Sequence, residues 1–159
     1  MTLDLETIEK IKQVKYAYCR GIDTCNLAAL KAIFTEDAEI DYHGGTYRFR
    51  AQGRDTILEA LGGAFHEDFV ACHTVHMPII TVNGDGTAKG QWRLLDYAMN
   101  LREENMVTIG AAEYYDDYVK QDGLWRIRKS AYTRIYERVF KEPEPALTAY
   151  ILGGYNQHG

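Results

Sequence analysis

The sequence has few cysteines, few prolines and no long apolar run, and these shortages exclude several classes of protein. Its three cysteines are an odd number without C-x-x-C spacing, which argues against a disulfide framework and a zinc site and favours free thiols in a reducing cytoplasm. No stretch approaches the ~20 apolar residues of a membrane span. Acidic residues outnumber basic ones by 23 to 18, which disfavours nucleic acid as a partner, because phosphate binding needs a basic face.

What the sequence does contain is enough apolar residues for one folded domain. A chain of 159 residues can bury roughly 68–70% of the surface that its unfolded state exposes, so no covalent staple is needed. There is no internal repeat, linker or low-complexity segment. We therefore predict a single domain over residues 1–142 and a C-terminal tail over 143–159.

Hydrophobic periodicity divides the chain into three helices and six strands. The predicted helices cover about residues 4–23, 27–34 and 54–65. The predicted strands cover about residues 38–43, 46–52, 70–82, 87–101, 106–120 and 124–140. The short turns of the second half make successive strands antiparallel neighbours, and Gly44-Gly45 is typical of a hairpin. This order predicts an α+β fold with helices on one face of a curved sheet and a pocket on the concave side.

One histidine lies in a run that otherwise has the pattern of a buried strand. If the strand at 70–82 is regular, the inward face that carries His73 also carries Val75, Met77 and Ile79. Pro78 cannot donate to a sheet, so it marks an edge position or a bulge. His76 falls on the opposite face, and the H-x-x-H pair has no evident third ligand, so no metal is expected.

Asp96 is the one carboxylate in the apolar stretch of the following strand, on a face with Trp92, Leu94 and Ala98. An imidazole and a carboxylate in an apolar interior cost several kcal/mol unless they are paired or functional. Asp96 could pair with His73, fixing the ring's tautomer and leaving its other nitrogen free to act as a base. It could also pair with Arg134 of the last strand. Arg134 could equally bind a substrate carboxylate or carbonyl in forked fashion.

The first helix contributes two further candidates. Tyr18 belongs to its apolar stripe, so the hydroxyl needs a buried partner, whereas charged residues such as Lys15 fall largely on the other faces. Asp23 follows five residues later and, taken alone, is more typical of a cap for the next turn. Asn26 can cap the second helix.

Several short motifs follow these elements in a recognisable order. They are Tyr18-x4-Asp23, His73 with His76-x-Pro78, Gly90-x-Trp92-x3-Asp96, Gly123-x-Trp125 and Tyr132-x-Arg134-Ile135-Tyr136. Over about residues 5–140 the chain resembles the SnoaL-like branch of the NTF2-like superfamily. Its closest resemblance is to the bile-acid 7α-dehydratase group, with scytalone dehydratase and the hexachlorocyclohexane dehydrochlorinase more distant. The resemblance implies a cone of three N-terminal helices packed on a strongly curved mixed or antiparallel sheet.

The resemblance also implies a catalytic set without metal or cofactor. His73 would be the general base that removes a proton from the carbon beside the leaving group. Asp23 would orient His73, and Tyr18 would be a hydroxyl donor. Asp96 and Arg134 match further pocket positions of the bile-acid enzyme. On this reading Asp23, rather than Asp96, is the expected partner of His73, and the sequence leaves both pairings open.

The function implied is that of a cofactor-independent lyase, a dehydratase acting on a hydrophobic polycyclic or aromatic-like carbonyl substrate. One alternative is a ketosteroid-type isomerase that uses Asp96 and Tyr18. Another is a non-catalytic module for small-molecule binding or assembly. A homo-oligomer, trimer or dimer, is expected because the outer sheet face needs cover. Residues 43–52, 99–106 and those beyond Pro143 depart from the family and shape the pocket mouth, which leaves the substrate open.

Overall fold

The computed structural model describes residues 3–144 and 146–150. The helices are α1 (Leu5–Asp23), α2 (Leu27–Ile33) and α3 (Arg54–Ala64). The strands are β1 (Phe34–His43), β2 (Arg48–Gln52), β3 (Phe69–Val82), β4 (Thr87–Asn100), β5 (Met106–Gln121) and β6 (Leu124–Lys141). Every predicted helix and strand is present, although β1 begins at Phe34 rather than at residue 38. In this part of the chain no helix has the length and apolar character needed to cross a membrane.

The six strands form one mixed sheet in the order β2-β1-β6-β5-β4-β3. Strands β3 to β6 are antiparallel neighbours, as their short turns predict, and β2 folds back on β1 through the Gly44-Gly45 hairpin. Strand β1 lies parallel to β6 and so joins the two parts of the sheet. Long strands curl because each is twisted, and bulges add to the curl. The predicted α+β cone, with three helices packed on a curved mixed sheet, is confirmed.

The hydrophobic core lies between the helices and the concave face of the sheet. Helix α1 supplies Ile11, Tyr18 and Ile22, and β4 supplies Trp92 and Leu94, all at most 2% exposed. In β4 the inward face predicted for Asp96 is confirmed, since its companions Trp92, Leu94 and Ala98 are all buried. The alternating pattern of β4 and the helical spacing of α1 therefore place one face of each element in the same hydrophobic core.

Lys15 departs from the predicted division of α1 into an apolar stripe and a charged face. Its side chain is fully buried, and Nζ lies 2.8 Å from Asp116 Oδ2 and 3.3 Å from the centroid of the Tyr114 ring. The spacing explains why: Lys15 is four residues after Ile11 and three before Tyr18, so it belongs to the buried stripe. The expectation that Lys15 faces solvent is wrong.

Strand β3 contains the irregularity that Pro78 predicts. Its pairing with β4 shifts between His76 and Ile79, and Met77 has a φ of 49°. Beyond this bulge the side chains change face, so Met77 and Ile79 are 62% and 64% exposed. The expectation that they share the inward face of His73 is wrong. Since β3 is also an edge strand, Pro78 costs the sheet no central hydrogen bond.

The predicted C-terminal tail is described only in part. Strand β6 extends to Lys141, and residues 146–150 form neither helix nor strand. Residue 145 and residues 151–159 lie outside the described residues, and the division at 142/143 stays a prediction.

Candidate active site

A cavity of about 390 Å³ lies on the concave side of the sheet, enclosed by α1, α3 and the strands. Its wall is mainly aromatic and aliphatic. Four of the predicted site residues line it: Tyr18, His73, Asp96 and Arg134. The fifth, Asp23, lies behind His73 and contacts it directly. The fold therefore brings four of the five residues to the wall of one cavity and the fifth into contact with that wall.

Asp23 holds His73 through both of its carboxylate oxygens, one on the ring and one on the main chain. Nδ1 lies 2.6 Å from Oδ1, and the main-chain N–H of His73 donates to Oδ2 at 3.0 Å. Because an ionised carboxylate can only accept, Nδ1 carries the proton and Nε2 is left as an acceptor. No described residue hydrogen-bonds to Nε2, and the side chain, 8% exposed, lines the cavity. Phe65 packs edge-on against the ring at 5.7 Å and fixes its plane.

Asp23 is free for this contact because neighbouring residues supply the caps. Thr24 ends α1 by donating its N–H to the Arg20 carbonyl, and Cys25 reverses the chain with a φ of 51°. Asn26 caps α2 as predicted, accepting from the Ala29 N–H at 2.9 Å. The edge strand β3 has outward N–H groups without a strand partner, and Asp23 accepts from the one at His73.

Asp96 pairs with Arg134 rather than with His73. Asp96 and His73 are opposite each other in the β3–β4 register, yet the two carboxylate oxygens lie 2.5 and 2.8 Å from Nη1 and Nη2 of Arg134. Of the two pairings that the sequence leaves open for His73, the structure contains the one with Asp23. Burial acts to lower the pKa of Arg134, but the hydrogen bonds and charge of Asp96 outweigh it and raise that pKa.

Glu137 completes this cluster and was not predicted from the sequence. Its Oε2 accepts from Arg134 Nε at 3.1 Å, and its side chain is 5% exposed. Residues three apart face opposite sides of a regular strand, but β6 carries one extra residue at Ile135, where its pairing with β5 shifts. This bulge places Glu137 on the same face as Arg134.

Gly110 allows Arg134 to reach Asp96. Asp96, Gly110 and Glu137 are consecutive cross-strand neighbours on β4, β5 and β6, and the guanidinium crosses above the glycine. A Cβ at Gly110 would lie 2.8 Å from Arg134 Nη1 and 2.8 Å from the Tyr136 carbonyl oxygen. Since the carbonyl belongs to the strand backbone, it cannot move aside at little cost.

Gly110→Ala is therefore expected to lower the free energy of unfolding by about 1–3 kcal/mol, the usual cost of overpacking. Chemical denaturation followed by circular dichroism measures the change. Gly63→Ala is the matched control, because no heavy atom lies within 4 Å of that position in α3 and alanine should stabilise the helix by about 0.5–1 kcal/mol. Equal stability of Gly110→Ala and the wild type would contradict the packing described.

Tyr18 lies at the cavity end of a buried hydrogen-bond chain. Its hydroxyl is 2.6 Å from that of Tyr42, which lies 3.4 Å from Ser130 Oγ. Ser130 donates to Asp116 Oδ1 at 2.6 Å, and Asp116 in turn contacts Lys15. Burial, together with Tyr114 and Tyr42, raises the pKa of Tyr18 well above its ordinary value. The phenol therefore stays protonated at neutral pH and is suited to donating a hydrogen bond.

The described residues contain no group of side chains suited to a metal ion, and two of the cysteines, Cys19 and Cys25, have thiols whose pKa is raised. Within residues 3–144 and 146–150, no three His, Cys, Asp or Glu side chains are grouped so that they could hold a metal ion. Burial raises the pKa of the Cys19 thiol to about 12, which keeps it protonated. Burial and the nearby Asp23 also raise the pKa of Cys25.

The fold is shared with known proteins. The family model for the SnoaL-like domain matches residues 3–131. A provisionally assigned scytalone dehydratase from Novosphingobium aromaticivorans is 23% identical, with a TM-score of 0.73 over 90% of this chain and 97% of that one. The hexachlorocyclohexane dehydrochlorinase LinA-type3 from Novosphingobium barchaimii is 20% identical, with a TM-score of 0.71 over 86% and 91%.

A further similar structure indicates how widely the fold is used. A provisionally assigned aromatic ring hydroxylase from Novosphingobium aromaticivorans is 17% identical, with a TM-score of 0.77 over 89% of this chain and 96% of that one. At these identities the likeness shows the fold alone, and the nearer relation to the bile-acid 7α-dehydratase group stays a prediction. The family match covers most of the sequence and includes Tyr18, Asp23, His73 and Asp96. The chain therefore belongs to the SnoaL-like domain family.

Proposed function

We propose that this protein is a cofactor-independent lyase that eliminates water from a hydrophobic polycyclic or aromatic-like carbonyl compound. The observation that supports it most is the His73 ring, anchored through Nδ1 by Asp23 with Nε2 left for the cavity. The names of two similar structures, a dehydratase and a dehydrochlorinase, describe eliminations and favour the same reaction class. The aromatic wall suits a flat apolar substrate.

The proposed elimination needs one base and one donor. Nε2 of His73 removes the proton from the carbon next to the carbonyl, and Asp23 stabilises the imidazolium that forms. Tyr18 donates to the carbonyl oxygen as negative charge develops there. The C–H electron pair then forms the new C=C bond, the C–O bond to the leaving hydroxyl breaks, and the imidazolium returns the proton to give water.

Tyr42 supports the donor role of Tyr18. Either hydroxyl of the Tyr18–Tyr42 pair can donate, and the hydrogen bond that Tyr42 otherwise donates to Ser130 Oγ is long at 3.4 Å. When Tyr42 donates to Tyr18, the proton of Tyr18 is free for the substrate oxygen. A phenol that itself accepts a hydrogen bond is also a stronger donor.

The two alternatives have less support. An isomerase would need Asp96 as a free carboxylate base, but both of its oxygens are bound by Arg134. A module that only binds or assembles gives no reason for a histidine held by a carboxylate at a cavity wall.

The outer sheet face exposes Leu95, Tyr115 and Ile135, which supports the proposal of a homo-oligomer, trimer or dimer.

A panel of neutral polycyclic β-hydroxy ketones tests the proposal when mass spectrometry follows the products. A lyase is expected to give a product lighter than its substrate by one water, whereas an isomerase gives a product of equal mass. Reactions without protein measure spontaneous dehydration. Unchanged compounds that nevertheless bind would support the binding module instead.

A further inference from the structure

Every nitrogen of the Arg134 guanidinium is already bound to a carboxylate. Nη1 and Nη2 contact the two oxygens of Asp96, and Nε donates to Glu137. The side chains of Arg134, Asp96 and Glu137 are 8%, 3% and 5% exposed. From the sequence alone, Arg134 could have bound a substrate carboxylate in forked fashion. In the structure it makes that forked interaction with Asp96 instead.

This cluster has one carboxylate more than it has cations. A single partner, Asp96, is enough to neutralise Arg134, so the charge of Glu137 is in excess. Because the three side chains are nearly buried, water screens that excess weakly. The cluster therefore adds negative potential to the cavity wall rather than a site for an anion.

No other cation compensates among the described residues. Arg134 is the only lysine or arginine among those that line the cavity. The Lys15 ammonium lies behind the rings of Tyr18 and Tyr114 and is paired with Asp116. Behind His73 there is a further carboxylate, that of Asp23.

We propose that the cavity selects neutral substrates over carboxylates and that Glu137 is a specificity-determining residue. This inference deepens the proposed function and rests on it. A carboxylate guest would face the excess negative charge, or would have to displace Asp96 from Arg134 and leave that acid buried and unpaired. A neutral carbonyl or hydroxyl does neither, and it can use the remaining N–H groups of Arg134 or the remaining lone pairs of Asp96.

Two probes of nearly equal shape, 2-naphthamide and 2-naphthoate, test the selection at neutral pH by isothermal titration calorimetry. The wild type is expected to bind the amide at least about tenfold more tightly than the carboxylate. Glu137→Gln keeps the hydrogen-bonding shape and removes the charge. It is expected to narrow this ratio by about tenfold or more, by strengthening naphthoate binding.

Glu113→Gln is the matched control. Glu113 also accepts from an arginine Nε, that of Arg93 at 2.6 Å. Neither Glu113 nor Arg93 lines the cavity, whereas Glu137 is bound to Arg134, which does, so Glu113→Gln should leave the ratio at the wild-type value. Wild-type binding of naphthoate as tight as that of naphthamide, a ratio unchanged in Glu137→Gln, or no binding of either probe would each overturn the proposal. No turnover is measured, so these outcomes are separate from failure of the proposed elimination.

Discussion

The free energy of unfolding is expected to fall by about 3–5 kcal/mol when Lys15 is replaced by methionine. Methionine keeps the apolar stem but removes the ammonium from Asp116, whose side chain is fully buried. Ser130 and Tyr118 still donate to that carboxylate, yet two neutral hydroxyls do not compensate a whole buried charge. Urea denaturation followed by circular dichroism measures the loss.

The neighbouring Asp117 provides a matched control for this buried pair. It contacts Lys89 at 3.4 Å, but the two side chains are 73% (Lys89) and 44% (Asp117) exposed. Asp117→Asn should therefore change stability by less than about 1 kcal/mol. The double variant Lys15→Met with Asp116→Asn is expected to lose less than the sum of its single changes, because it leaves no unpaired charge. A loss for Lys15→Met as small as that of the control would contradict the account of the pair.

Much of the fold follows from local patterns that a sequence displays directly. The stripe of α1 and the alternation in β4 are repeated many times, so single exceptions do not obscure them. The turn at Gly44-Gly45 likewise depends on neighbouring residues alone. The parallel pairing of β1 with β6 could not be predicted in this way. It joins two segments that are separated by most of the chain, and no local pattern in the sequence marks such a contact.

In the candidate site, too, contacts between residues that are distant in the sequence could not be predicted from local patterns. The sequence identified Asp23 and Asp96 as acids but left the partner of His73 open, since that choice depends on where the end of α1 meets the edge of the sheet. Lys15 could have been placed correctly, because its spacing from Ile11 and Tyr18 is that of the buried stripe. The position of Glu137 could not have been predicted. Its side chain faces the interior only because of the bulge in β6, and no glycine or proline in the sequence marks that bulge.

His73→Gln is expected to lower kcat by about 10²–10⁴-fold on a substrate that the wild type dehydrates, the usual contribution of a positioned base. Glutamine can keep a hydrogen bond to Asp23 but cannot take up a proton, so binding and stability should change far less than kcat. Steady-state kinetics, with circular dichroism to verify folding, separates these effects. Asp23→Asn should lower kcat in the same assay, because it removes the charge that stabilises the imidazolium.

His76→Gln makes the same substitution three residues further along β3. His76 does not line the cavity and pairs across the sheet with Arg93, so turnover by this variant should match that of the wild type. The comparison therefore distinguishes loss of the base from a general effect of removing an imidazole from the edge strand. If His73→Gln retained wild-type kcat, His73 could not be the base, and the elimination would need another proton acceptor. Asp96 would be the first to consider, and it could act only after leaving Arg134.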